Sequence, residues 1–192
     1  QDFALYLNGL IGEYNIEREN YTNFNKLIEV LELEKNIDFT LVDTQRSEYI
    51  EALSKSLQQK ELSKLLDMSL HFKTGSVGAV EFYSYLKEVM DKNKKIDLEK
   101  YQELGKYISY ILSYNQLQHL ELFAEIEQIQ DALKNKLFTR EIERNIDTLS
   151  KNIEILKSLA NLKLTTKTLD YYRKNRSAFL VSNFINFISE IS

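Results

Sequence analysis

Residues 27–39 (LIEVLELEKNIDF) return as residues 86–98 (LKEVMDKNKKIDL), identical at six of thirteen positions and conservative at three more. Chance rarely gives an ungapped match this good. In both copies apolar residues three and four apart lead into an Ile-Asp pair, Ile37-Asp38 and Ile96-Asp97. A carboxylate just before a helix can accept hydrogen bonds from the otherwise unpaired amides of the first turn. The Ile ahead of each Asp and the apolar residue four beyond it, Val42 or Tyr101, have the spacing of a hydrophobic staple. The stretch predicts a helix, a short linker and an Asp-capped second helix, used twice.

Outward from these copies the same helical period continues through almost every segment, and strict alternation is rare. Phe3, Tyr6, Leu10 and Tyr14 form one stripe, and Leu62, Leu65, Leu66 and Phe72 another, while Thr74 to Gly78 (TGSVG) marks a loop. From Leu122 the spacing tightens to heptads: Leu122, Ile126, Ile129 and Leu133, then Ile142, Ile146, Leu149, Ile153, Leu156 and Ala160. The phase slips between Leu133 and Ile142, which predicts a turn near residues 136–140 and an antiparallel hairpin, one bent helix being the alternative. Thr165 predicts the cap of a short helix through Tyr171 and Tyr172. A last, buried helix from near Ser177 is expected to close the core with Leu180 or Val181, Phe184, Phe187 or Ile188, and Ile191. The fold expected is all-α: an irregular bundle of about ten helices with a duplicated helix-linker-helix unit and a C-terminal long helical hairpin. Residues 1–192 read as a single domain, with a subdivision at 115/116 as an option.

Composition agrees. The chain has no Pro and only five Gly, which favours uninterrupted helices over turn-rich β structure. It has no Cys, so disulfides, zinc-thiolate sites and thiol nucleophiles are excluded. A net charge of -4 and a pI near 5.4 are the opposite of the basic balance of a nucleic-acid-binding domain. The longest apolar stretch, Phe179 to Ile188, falls short of the roughly 20 residues of a transmembrane helix. A chain that starts at Gln1 is expected to be processed, trimmed or excised from a longer one. A cytoplasmic location is expected, an exported mature domain being the alternative.

Chemical motifs are sparse. Asp91, Asn93 and Asp97 match the first, third and seventh positions of a calcium loop, but Ile96 stands where Gly is needed and Gln102 where Glu is needed. In the other copy Ile37 and Asp43 break the same two positions. His71 and His119 belong to no HExxH or ExxH pattern. Glu121 and Glu125 share a helix face, as many carboxylates on solvated faces do. Neither a GxSxG elbow nor a phosphate-cradling glycine loop occurs. No catalytic residue, metal site or cofactor is expected.

Two features suggest binding. Tyr107, Tyr110 and Tyr114 fall on one predicted helix face, and tyrosine combines apolar area with a polar tip. Lys163, Lys167, Arg173, Lys174 and Arg176 against Asp170 make residues 163–176 locally +4, a composition suited to an anion or an acidic partner. The function expected is a non-catalytic helical interaction or scaffold module that binds another protein or itself. The alternatives are an enzyme or sensor with a small-molecule pocket between helices and, more weakly, nucleic-acid binding through the basic segment.

Overall fold

Asp38 accepts the amide of Thr40 at 3.0 Å and Asp97 that of Glu99 at 3.1 Å, so both Ile-Asp pairs start helical segments. These contacts are seen in a computed structural model that describes residues 2–93 and 95–191, the side chain of Ile191 excepted. Gln1 and the expected packing of Ile191 therefore lie outside the described residues. Among the described residues ten α-helices follow one another: α1 (Asp2–Glu13), α2 (Thr22–Lys35), α3 (Phe39–Ser56), α4 (Gln59–Lys73), α5 (Ala79–Lys92), α6 (Gln102–Asn115), α7 (His119–Leu137), α8 (Glu141–Ala160), α9 (Thr166–Lys174) and α10 (Val181–Ile191). No strand occurs among the described residues, and the architecture is the expected all-α bundle.

The boundaries differ from the periodic reading at two places. Asp97 caps a 3-10 turn, Leu98–Tyr101, and α6 begins only at Gln102. A second 3-10 turn, Arg176–Phe179, delays the last helix from Ser177 to Val181. Short 3-10 turns keep the helical apolar spacing, so periodicity does not distinguish them. The loop 74–78 is where expected. Gly75 has φ +76°, a conformation that disfavours a side chain, and the turn lets the Ser76 amide reach the His71 carbonyl at 2.8 Å.

The chain divides into two compact units, up to Leu133 and from Lys134, with the boundary inside α7. In the first unit α6 packs against α2, α3 and α5. One apolar cluster gathers Tyr49, Leu53, Leu65, Tyr83, Leu86 and Leu104, and another gathers Leu7, Ile11, Phe24, Ile28, Ile129 and Leu133. The α7 half of the heptad stripe is thus part of the core.

Four hydrogen bonds within this unit are reciprocal. The Asp38 amide donates to Glu103 at 2.7 Å, and eighty positions later the Gln118 amide donates to Asn23 at 3.2 Å. The Leu104 amide donates to Gln45 at 3.0 Å, and the Phe24 amide donates to Glu125 at 2.7 Å. Segments 36–53 and 116–133 show the same succession of buried, intermediate and exposed positions, with Ile37, Val42, Tyr49 and Leu53 matched by Leu117, Leu122, Ile129 and Leu133. This correspondence sets α2–α3 beside α6–α7, a different pairing from the match fifty-nine residues apart.

The second unit is thinly packed. Phe179 and Asn152 are its only fully buried described side chains, Phe179 beneath the edges of Tyr171 and Tyr172 and Asn152 donating to the Ala178 carbonyl at 3.3 Å. The helix breaks at residues 138–140, where the Thr139 and Arg140 amides both donate to Glu143 at 3.0 Å, so the heptad stripe is carried by two helices and not one bent one. On α8 the stripe is open, with Ile142, Ile146 and Ile153 37, 47 and 41% exposed. The expected buried terminal helix is not found. Phe184 and Phe187 are half-buried, while Leu180, Val181, Ile185 and Ile188 are exposed. So short a unit has too little chain to cover every apolar helix face.

Candidate interaction surface

The Asp38 cap fixes where α3 begins, and this places Phe39 at the first helical position, 47% exposed, while Val42 one turn on enters the core. Opposite it, α6 presents the tyrosine row. Tyr107 and Tyr110 are half-buried and Tyr114 is 48% exposed. The Phe39 ring stands edge-on to both Tyr107 (6.0 Å, 82°) and Tyr110 (6.3 Å, 87°), within the favoured geometry of aromatic pairs. Further ring contacts join Tyr110 to Tyr114 and Tyr114 to His119, and inward Tyr107 meets Tyr83 at 5.1 Å. Tyr83 belongs to the buried cluster with Phe82 and Phe72. The result is a continuous aromatic tract with its inner end in the core and its outer end on the surface.

Arg46 pins the inner end. Its guanidinium donates to the Tyr83 hydroxyl at 2.8 Å, pairs with Asp43 at 2.8 Å and lies 5.8 Å from the centre of the Phe72 ring. Burial raises the Tyr83 phenol above its ordinary value, the Arg46 contact opposing this in part. Burial, followed by the nearby Glu34 carboxylate, raises that of Tyr110. Both phenols are therefore neutral near pH 7. The outer surface of Phe39, Tyr110 and Tyr114 is apolar with hydroxyl tips, the character of contact residues that anchor protein interfaces.

The structure gathers three of the residues singled out in the sequence, Tyr107, Tyr110 and Tyr114. The other four, Lys167, Arg173, Lys174 and Arg176, belong to the second unit, where all are exposed and Arg173 lies 3.9 Å from Asp170. Phe39, Arg46 and Tyr83 complete the tract and were not legible as site residues. Phe39 sits inside the repeated stretch, but a Phe next to a cap reads as packing, and nothing local links Arg46 to a tyrosine in α5. Glu125 also departs from its reading as part of a solvated face. It is half-buried and accepts from the Asn23 and Phe24 amides at 3.1 and 2.7 Å.

A separate cleft of about 480 Å³ lies where the α3–α4 elbow meets the end of α5. Ser56, Lys64, Tyr85, Glu88, Lys92 and Asn93 contribute to it, with the Lys64 ammonium 4.9 Å from the centre of the Tyr85 ring and Asn93 donating to Ser56 at 2.8 Å. Among the described residues no group of three or more His, Asp or Glu side chains is placed to hold a metal ion, and no helix is long and apolar enough to cross a membrane. Comparison with protein-family models, curated proteins and solved structures finds no match to this chain.

Proposed function

We propose that this chain is a non-catalytic helical interaction module whose first unit binds a segment of another protein across the α3–α6 aromatic surface. The observation that carries the reading is Phe39, a large ring left 47% exposed and held upright against two tyrosines. Rigid aromatic groups lose little side-chain freedom on binding and are enriched where interfaces are tightest.

The reciprocal register supports it. We take α2–α3 and α6–α7 as two copies of one helical element. Tyr107, Tyr110 and Arg46 then correspond to Leu27, Val30 and Ile126 in the other half. Aliphatic residues suffice at those positions for packing, so the aromatic and guanidinium groups are an addition that the fold does not require. A function in recognition accounts for the asymmetry.

Peptides selected from a random displayed library against the full chain, with affinity then measured by fluorescence anisotropy, test the reading. A Phe39→Ala, Tyr114→Ala variant of unchanged helicity should bind the selected peptides at least about tenfold more weakly, as loss of an interface anchor does. Peptides that bind the variant and the natural chain equally would place the contact surface elsewhere.

A small-molecule reading has the α3–α5 cleft behind it. Its single aromatic wall with a cation across it suits a planar anionic ligand. A screen of such compounds by thermal shift, in which Tyr85→Ala abolishes every hit, would favour this alternative.

A further inference from the structure

We propose that α8 pairs with α8 of a second copy of this chain, antiparallel, along the open heptad seam. This deepens the interaction-module reading by naming a partner for the second unit, and it uses none of the aromatic surface.

Three observations lead to it. The seam is complete over the helix, with Ile142, Leu149 and Leu156 at one heptad position and Ile146, Ile153 and Ala160 at the other. It is also uncovered along its isoleucines, each more than a third exposed, while Leu149 and Leu156 are half-buried and Leu149 borders a cleft with Phe187, in a unit that fully buries only one apolar side chain among its described residues. The approach is one-sided, because Asn152 on one flank is sealed under the Ala178 carbonyl, while Glu143, Ser150 and Lys157 line the other.

The occupant follows from charge and register. An antiparallel second α8 that sets Leu149 opposite Ile153 also sets Ile146 opposite Leu156 and Ile142 opposite Ala160. In that register the open flank places Glu143 opposite Lys157 twice, once at each end, and Ser150 opposite itself at the two-fold axis. A parallel copy instead brings the acidic start of α8, Glu141 and Glu143, beside its own equivalent. Glu143 already accepts four hydrogen bonds, from the Thr139 and Arg140 amides and twice from the Arg140 guanidinium, and Lys157 pairs with Glu154 at 2.6 Å, so the cross-pair adds charge attraction at the rim and no new hydrogen bond to Glu143. The surface is self-complementary in the way a two-fold interface requires.

The test uses the full chain, which has no cysteine of its own. Sedimentation should show dimer forming with concentration, and Ile146→Lys with Ile153→Lys should weaken it at least about tenfold without loss of helicity. Single cysteines fix the register. A short bis-maleimide should join Ser150→Cys chains efficiently but not Lys157→Cys chains, whose thiols lie about 20 Å apart at 1.5 Å rise per residue. A monomer at all concentrations up to about 0.1 mM, a dimer unmoved by the double lysine variant, or equal cross-linking at both positions would each overturn the pairing. Peptide binding retained at the Phe39 surface would show that only the α8 proposal had failed.

Discussion

The carboxylate of Glu103 holds the backbone amide of Asp38 at 2.7 Å, tying the start of α3 to the first turn of α6 across 65 residues of chain. Asn23 does the same for Gln118 between α2 and α7. Each linker is thus closed by a side chain from the opposite half, and the two closures differ in burial and in charge. That difference sets the first two predictions.

Asn23 is buried and bonded to Gln118, Glu121 and Glu125, so its removal strands several groups at once. Asn23→Ala should cost about 2 kcal/mol and Glu103→Ala about 1 kcal/mol, on the usual scale for buried and for more exposed capping bonds. Urea unfolding of the two variants checks the order. A larger loss for Glu103→Ala would mean that the clamp around Asn23 is open to water.

Acid should separate the same pair. The Lys106 ammonium, then the Asp38 amide, holds the Glu103 carboxyl below the usual carboxylate range. A depressed folded-state value contributes stability that is present above the ordinary value near 4.5 and lost as pH falls through the folded-state value. Unfolding midpoints of the natural chain should fall on acidification through this range, and the gap between it and Glu103→Gln should shrink. A gap that stays constant from pH 7 to about pH 3 would show that the charge of Glu103 contributes nothing.

Two tyrosines in one core should respond in opposite ways to loss of the hydroxyl. The Tyr49 hydroxyl has no hydrogen-bond partner among the described residues, and burial, then Tyr101 and Asp91, pushes its phenol up to about 12. Tyr49→Phe keeps the edge contact with Tyr101 at 5.0 Å and should leave stability unchanged or raise it by up to about 1 kcal/mol. Tyr83→Phe breaks the Arg46 contact and should lower it by about 1 kcal/mol. Thermal unfolding under one buffer condition compares them, and a destabilised Tyr49→Phe would contradict the orphaned hydroxyl.

The end of α8 stores strain. Leu162 has φ +54° and is 93% exposed, held there by a Lys163 amide that reaches back to the Ser158 carbonyl at 2.8 Å. Glycine is the residue this turn favours, so Leu162→Gly should stabilise the second unit by about 1 kcal/mol, and Leu162→Val should weaken it. Calorimetry of the full chain checks the sign. Gly75→Ala, at φ +76° in open space, should lose a similar amount in the first unit.

Local chemistry in the chain settles a good deal. Apolar spacing with no proline determines the ten helices of the described residues, Asp38 and Thr165 determine two of their starts, and Asp97 starts the 3-10 turn ahead of α6, because a cap is a contact between neighbours in sequence. The TGSVG loop follows in the same way from glycine's freedom at φ +76°. Which faces those helices bury is another matter. Two stripes of the same heptad spacing on α7 and α8 end differently, one packed with α1 and α2 and one with its isoleucines in solvent, because burial depends on what another part of the chain places opposite. The aromatic surface is split in the same way. The tyrosine row was legible as a row, whereas Phe39, Arg46 and Tyr83 join it only through contacts between α3, α5 and α6. Within the match fifty-nine residues apart, the Ile-Asp pair is where structure and residue identity agree, since Asp38 and Asp97 both cap a helical turn. The correspondence eighty residues apart is carried by burial and by crossed hydrogen bonds between different residue types, Asn23 for Glu103 and Glu125 for Gln45, and only the packed tertiary structure brings those into view.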